Sequence, residues 1–167
     1  MNRQGDKIRT AAEIKSSIRR IAYQIYENNV GEKSLVLVGI AVRGSILAQL
    51  IGKELEACSP IQILYAELKV NKENPRDTIQ CSIPLESIEY KSLVVVDDVL
   101  NTGSTLIYAV NYLLKVPVKQ IKTAVMVNRN HKQFPIKADF KGISLSTSVN
   151  EHVSVELEGE EGGIFLR

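Results

Sequence analysis

The sequence predicts an α/β fold in which an open parallel sheet carries helices on both faces, with a small C-terminal cap. Short, continuous apolar runs such as 35–40 and 92–97 are typical of buried parallel strands. Segments with apolar residues at helical spacing separate these runs. Because strand and helix alternate along the chain, a parallel sheet covered on both faces is the most economical topology.

Length and composition favour one globular domain spanning residues 1–167, with hydrophobic residues at 44% and charged residues at 24%. The 21 basic and 19 acidic residues leave a net charge of +2, which argues against a nucleic-acid binder. We find no apolar stretch of membrane-spanning length and no signal-peptide core. Cys58 and Cys81 lack metal-ligand spacing and are expected to be reduced. These features predict a cytoplasmic protein without a membrane partner.

The first third of the chain is predicted to form two helices around one strand. Apolar residues at helical spacing predict a helix over about 11–29, and Gly31 just beyond it is suited to a C-terminal stop. A buried strand follows over 35–40. A second helix is expected after Gly44, and Pro60 closes that unit.

The middle of the chain is predicted to continue the alternation. We expect a strand over 61–69, a polar turn over 71–77 and a partner strand over 78–83. Strands are also expected over 92–97 and 121–127. The helix between these two strands should turn one apolar face inward, formed by Leu106, Ala109, Val110, Leu113 and Leu114.

Beyond residue 127 the periodicity weakens. Short apolar segments remain near 140–145, 153–157 and 164–166. We expect residues 128–167 to form a cap over the carboxyl ends of the strands.

Residues 93–105 carry the most informative pattern in the chain. Asp97 and Asp98 stand at the end of an apolar strand, and a short loop of small, hydroxyl-bearing residues then opens into a helix. Ligands of open α/β sheets bind at the carboxyl ends of the strands. The loop amides can converge on a phosphate at the positive end of the helix dipole, and the two acids suit sugar hydroxyls or a divalent cation. This pattern predicts a sugar-phosphate site.

The same run resembles the phosphoribosyl-pyrophosphate (PRPP) signature of type I phosphoribosyltransferases, in which paired acids precede a Thr-Gly-x-Thr loop. The resemblance implies that Asp97 and Asp98 bind the ribose hydroxyls. It assigns the 5′-phosphate to Asn101, Thr102, Gly103, Ser104 and Thr105. It assigns the pyrophosphate to Arg43 and Gly44, which taken alone fit an ordinary turn after a strand. The loop hydroxyls are equally suited to capping the helix.

A second stretch, from Val127 to Gly142, resembles one branch of that family, the bifunctional pyrimidine-operon regulators and uracil phosphoribosyltransferases. The resemblance extends over about residues 11–158. It implies that Phe140 stacks on the base and that the Lys141 backbone hydrogen-bonds the base edge. It also places Glu158 near base and metal, with Asp97 as the other metal candidate. Without the resemblance, Phe140 fits a core aromatic equally well.

Several positions depart from the family pattern. Asn101 replaces an aspartate that often serves purine-salvage members as a base, and an amide cannot take that proton. Ser104 replaces a residue that is often basic. The hairpin over 69–78 is shorter than the family's mobile loop, so it excludes water less completely. Tyr23 and Asn28 occupy helix positions that tend to be basic in RNA-binding relatives.

The sequence therefore predicts a phosphoribosyltransferase that uses PRPP and Mg²⁺ and acts on a nucleobase, with uracil favoured. Its products would be a nucleotide and pyrophosphate, and Asp97, Asp98 and Arg43 would carry catalysis. A homodimer is the expected assembly. Three alternatives remain open: an RNA-binding regulator that senses nucleotides, which is less favoured, a purine-directed transferase, and a sugar-phosphate-binding domain without turnover.

Overall fold

The computed structural model describes residues 5–167. In chain order the elements are β1 (Asp6–Thr10), α1 (Ala11–Asn28), β2 (Ser34–Ile40), α2 (Arg43–Cys58), β3 (Gln62–Lys69), β4 (Gln80–Cys81), β5 (Ser92–Leu100), α3 (Ser104–Leu113), β6 (Gln120–Arg129), β7 (Phe140–Leu145), β8 (Val153–Glu156) and β9 (Gly163–Leu166). A single 3₁₀ turn over Leu85–Ile88 precedes β5. No helix in this part of the chain is long and apolar enough to cross a membrane.

The main sheet has six strands in the order β4-β3-β2-β5-β6-β7. Strands β3, β2, β5, β6 and β7 are parallel to one another, and the two-residue β4 pairs antiparallel with β3 at the edge. The predicted α/β fold with an open, mostly parallel sheet is confirmed. The connections run outward in opposite directions from β2 and β5, so ligands are expected at the carboxyl ends of these two strands.

Helices cover both faces of this sheet, as predicted. Helices α1 and α2 pack on one face through buried aliphatic side chains: Ile14, Ile18, Ile21, Ile25, Leu47, Ile51 and Leu55. Helix α3 packs on the other face through Leu106, Ala109 and Leu113. The continuous apolar composition of β2 and β5 follows from this arrangement, because both of their faces are buried.

Helix α1 begins with a complete capping box. The Thr10 hydroxyl accepts a hydrogen bond from the Glu13 backbone N–H (3.2 Å), and the Glu13 carboxylate accepts one from the Thr10 backbone N–H (2.8 Å). Because Thr10 is also the last residue of β1, strand and helix join without a loop.

A second sheet, which we call the cap sheet, contains β1, β9 and β8 in that order, all antiparallel. The strands of this sheet differ from those of the cap predicted over residues 128–167 in two ways. Strand β7 belongs to the main sheet, where it pairs with β6. Strand β1 comes from the beginning of the chain, where Asp6–Thr10 is too polar to show a strand pattern.

Several predicted boundaries were wrong by a few residues. Strand β5 was predicted to end at residue 97 but continues to Leu100, so Asp98 as well as Asp97 lies within the strand. Helix α2 begins at Arg43 rather than after Gly44. The predicted return strand over 78–83 is reduced to β4. Leu114 lies just past the end of α3 and is 57% exposed, because the helix stops before its side chain reaches the core.

Candidate active site

The predicted site residues on β5 lie at the carboxyl edge of the main sheet, beside the loop that follows β2. Two cations, one from the first residue of α2 and one from the loop after β3, meet the acid pair, Asp97 and Asp98. Lys72 Nζ lies 3.2 Å from Asp97 Oδ1 and 3.8 Å from Asp98 Oδ1. Arg43 Nη1 lies 3.9 Å from Asp98 Oδ2. The structure thus brings Arg43, predicted from the first strand–helix turn, to the acid pair on β5.

The acid pair is buried, and its own backbone orients it. Asp97 Oδ1 accepts a hydrogen bond from the Asp98 N–H, and Asp98 Oδ1 accepts one from the Val99 N–H, both at 2.9 Å. Burial raises the pKa of Asp97 to about 7; the Lys72 cation offsets part of this rise, and the Asp98 charge adds to it. Near neutral pH, Asp97 therefore exchanges readily between its protonated and charged forms.

Residues 101–105, which we call the phosphate loop, join the end of β5 to the start of α3. Gly103 precedes the helix with φ of 89°, a conformation that side chains rarely adopt. A Cβ atom on Gly103 would also lie 2.5 Å from Ile136 Cγ2. The Thr102 hydroxyl accepts a hydrogen bond from the Ser104 N–H at 3.2 Å, so this hydroxyl engages one amide at the start of the helix.

A cavity of about 260 Å³ opens between Asp97 and the phosphate loop. Its lining consists of Lys72, Asp97 and residues 99–106. All five predicted phosphate-binding residues thus share one concave surface with Asp97. The arrangement places backbone amides and the dipole of α3 on one side and carboxylate oxygens on the other.

The start of α2 forms the other wall of the site. Gly44 is needed here because a Cβ atom would lie 2.5 Å from the Val96 carbonyl oxygen, so the glycine lets α2 approach β5 closely. Val42 precedes the helix and provides no side-chain cap, which leaves first-turn amides available to an anion. The peptide bond between Ala41 and Val42 is cis.

A second cavity of about 270 Å³ lies between α2 and the cap sheet. It is lined by Arg43, Ile46 and residues 155–158. Glu158 therefore lies across this cavity from Arg43, which in turn reaches Asp98. Within residues 5–167, no group of three or more His, Cys, Asp or Glu side chains is placed to hold a metal ion.

Phe140 and Lys141 are not brought into either cavity. Phe140 begins β7, is 5% exposed and packs in the core beneath α1. It pairs with Ala124, well before the carboxyl end of β6. The carbonyl oxygen of Lys141 accepts a hydrogen bond from Arg20. The physical reason is strand direction: both residues lie near the amino end of β7, and the site lies at the opposite end.

Sequence reasoning did not single out Arg129, which contacts the phosphate loop. Its guanidinium donates a hydrogen bond to Asn101 Oδ1 at 2.9 Å. It also donates to the Thr147 hydroxyl from Nε (3.0 Å) and Nη2 (2.8 Å). The available signal was a charged residue two positions after the apolar run 124–127, at the carboxyl end of a strand.

Comparison with known proteins agrees with this geometry. Residues 4–159 match the family model described as phosphoribosyl transferase domain. The Bifunctional protein pyrR of Enterococcus faecalis is 35% identical over 159 residues, which covers 91% of this chain and 89% of that relative. The Bifunctional protein PyrR of Leuconostoc mesenteroides is 36% identical over 160 residues, which covers 90% and 91%.

Solved structures of low identity share the fold. A hypoxanthine phosphoribosyltransferase from Staphylococcus aureus aligns with a TM-score of 0.71 at 21% identity, covering 86% of this chain and 79% of that one. A hypoxanthine-guanine phosphoribosyltransferase from Bacillus anthracis aligns with a TM-score of 0.70 at 15% identity, covering 86% and 84%.

Proposed function

Since the chain belongs to the phosphoribosyltransferase family, we propose that it transfers the phosphoribosyl group of PRPP to uracil and releases pyrophosphate. The predicted family and enzyme class are confirmed by the family match. One observation carries the proposal for this site: Asp97 of the acid pair and the phosphate loop line a single cavity of about 260 Å³. A ribose 5-phosphate requires that combination of hydroxyl acceptors and anion donors.

Each wall of the site has a separate task in the proposed reaction. The phosphate loop binds the 5′-phosphate through backbone amides and the α3 dipole. Asp97 and Asp98 accept hydrogen bonds from the ribose hydroxyls and offset positive charge that develops on the sugar ring. Arg43 and the first turn of α2 bind the departing pyrophosphate. Catalysis then depends on positioning and charge, with no covalent bond to the protein.

Lys72 forms an ion pair with both acids. Its side chain is about half exposed and belongs to the loop that joins β3 to β4. Because its ammonium lies where ribose hydroxyls must bind, we propose that Lys72 leaves the acids when PRPP enters. The released lysine then lies close enough to contribute positive charge to the pyrophosphate side.

The oxygen donors at the site suit a magnesium ion that arrives with PRPP. Magnesium binds one or two protein carboxylates together with substrate phosphates and water. Asp97 lines one cavity and Glu158 the other, so we propose these two as its protein ligands. When bound, the ion would neutralise charge on the leaving pyrophosphate.

Uracil is the proposed base because the PyrR relatives cover most of this chain and because Asn101 cannot serve as a purine-directed base. Its amide oxygen is already engaged by Arg129. An amide in this position takes no proton from a purine ring nitrogen.

The decisive assay is pyrophosphate release from PRPP and Mg²⁺ with uracil, hypoxanthine, guanine or no base. We expect release with uracil alone. Release with hypoxanthine or guanine would overturn the pyrimidine assignment, and no release with any base would leave a site that binds PRPP without turnover.

A second candidate function is RNA-dependent regulation of pyrimidine genes, favoured by the name bifunctional that the PyrR relatives carry. Tyr23 and Asn28 are exposed on α1 and add no charge to that helix. Binding to a pyrimidine-operon leader RNA, measured with and without UMP at low salt, tests this role. Failure to bind at low salt would exclude it.

We also propose a homodimer in the cytoplasm. The free thiols of Cys58 and Cys81 support a reducing compartment. Light scattering of the purified protein measures the oligomeric state directly.

A further inference from the structure

Arg129 is a buried cation to which the proposed mechanism gives no role. Arg129 is 7% exposed and lies at the end of β6. Among residues 5–167, no carboxylate forms an ion pair with it. A buried charge without such a partner lowers the stability of the folded protein, and an apolar side chain at this position would give a more stable fold. The position therefore points to a task other than stability.

The guanidinium donates hydrogen bonds to neutral oxygens on two separate segments. Nη1 donates to Asn101 Oδ1, at the start of the phosphate loop, over 2.9 Å. The remaining bonds go to the segment that leads into β8: to the Thr147 hydroxyl, and from Nη2 to the carbonyl oxygens of Ser148 (3.2 Å) and Glu151 (2.7 Å). The planar fork of an arginine is suited to fixing two segments at once.

The backbone of the phosphate loop is held from the same side. The carbonyl oxygen of Thr102 accepts hydrogen bonds from the N–H groups of Gln133 (2.8 Å) and Phe134 (3.1 Å). These bonds fix the second residue of the loop, and the Arg129 contact fixes the side chain of the first. Asn101 is otherwise exposed, so its position depends strongly on the guanidinium.

We infer that Arg129 is a positioning residue that acts through Asn101, holding the phosphate loop in its binding conformation and joining it to the segment that enters the cap sheet. The inference rests on the proposed function, which supplies the ligand of that loop. Asn101 suits this contact because its amide oxygen accepts the bond, whereas an aspartate would convert the contact into an ion pair.

The first test needs no ligand. Hydrogen exchange at the amides of residues 102–105 is compared among the wild type, Asn101→Ala, Arg129→Gln and the double variant. We expect each single variant to exchange at least tenfold faster in the loop, and the double variant to match Arg129→Gln. Arg20→Gln is the matched control, because Arg20 also donates to two backbone carbonyls but lies on α1.

The second test measures UMP affinity by calorimetry in the same variants, well below their melting temperatures. We expect at least a tenfold loss in each single variant, no further loss in the double variant and partial recovery in Arg129→Lys. A purely structural role would lower the melting temperature and leave UMP affinity unchanged.

Unchanged loop exchange in Asn101→Ala would overturn the inference, as would losses of UMP affinity that multiply in the double variant. Should Arg129→Gln fail to fold, Asn101→Ala still tests the same link from an exposed position. Failure of the wild type to bind either UMP or PRPP would instead reject the proposed function, while the exchange data would still decide whether Arg129 orders the loop.

Discussion

Asp97 is a residue whose buried charge lowers the stability of the fold but serves the proposed reaction. Its carboxyl group is almost fully buried beside a second carboxylate, and Lys72 compensates only part of the cost of its charge. The fold therefore favours its protonated form, while the proposed reaction requires its charged form. Such conflicts between folding and function are common at ligand-binding carboxylates.

Asp97→Asn should change how stability depends on pH. The folded pKa of about 7 lies above the unfolded value, so the wild type loses stability as pH rises from about 4 to about 7. The variant lacks this loss and should be more stable at pH 8 by at most about 4 kcal/mol. Urea unfolding at pH 5 and pH 8 measures the difference. Exposed Asp6→Asn is the control, and equal pH dependence in wild type and Asp97→Asn would contradict the prediction.

Asp98→Asn tests the chemical half of the same pair. The amide keeps the shape of the side chain but removes the negative charge that faces Arg43 and the proposed ribose. We expect turnover to fall at least tenfold while circular dichroism and the melting temperature stay near those of the wild type. Turnover equal to that of the Asp6→Asn control would remove the acid from the mechanism.

At the scale of elements, the three helices differ in what their first backbone amides bind: amides of one helix bind side chains of the protein, and those of the other two lie at the site. Helix α1 begins with a capping box, which satisfies its first amides within the protein. Helices α2 and α3 begin after Val42 and Gly103, neither of which provides a side-chain cap, and both starts lie at the site. In α3 the Thr102 hydroxyl accepts a hydrogen bond from one amide, that of Ser104. The other first amides of these two helices are thus better placed to receive the two phosphate groups of PRPP.

Gly103→Ala should destabilise the protein more than Gly31→Ala does. Both glycines have φ near 90°, so both alanines carry similar backbone strain. A Cβ atom on Gly103 would meet Ile136 at 2.5 Å, whereas one on Gly31 would meet nothing within 4 Å. Gly103→Ala should therefore cost about 1 kcal/mol more. Denaturant unfolding of both variants gives the difference, and equal costs would show that Ile136 moves aside freely.

Local pattern predicted most elements and the centre of the site. Apolar runs identified β2, β5 and β6, and helical spacing identified α1 within one residue at its C-terminal end. The end of β5 was misplaced because carboxylates are rare inside strands. Here the ammonium group of Lys72, twenty-five residues earlier in the chain, compensates part of the cost of burying them. The contact between Arg129 and Asn101 was not predictable, since nothing in either segment alone indicates it.

At the scale of the whole molecule, the cap sheet was the part that sequence reasoning could not assemble. Strand β1 contains mostly charged and polar residues, and it is stabilised as a strand by pairing with β9 near the other end of the chain. Only tertiary structure reveals such a pairing. The predicted cap therefore contained β8 and β9 but not the first strand of the sheet.

Truncation after Glu158 should unfold the cap sheet and leave the main sheet folded. The deletion removes β9, the central strand, so β1 and β8 lose their only sheet partner among the described residues. We expect fast hydrogen exchange in β1 and β8, a lower melting temperature, and weaker PRPP binding, because residues 155–158 line the cavity beside Arg43. Glu160→Ala with Glu161→Ala, in the exposed turn before β9, is the control. Full protection of β8 in the truncated chain would contradict this prediction.

The pairing of Asp6 with Leu166 also sets an order of events during protein synthesis. Strand β1 leaves the ribosome before β2 to β7, yet its hydrogen-bonding partner β9 is translated after all of them. Strands β2 to β7 can associate while translation continues, so the nascent chain passes through a period in which the phosphate loop is folded and the cap sheet is not. Substrate binding should therefore mature only after β9 has left the exit tunnel.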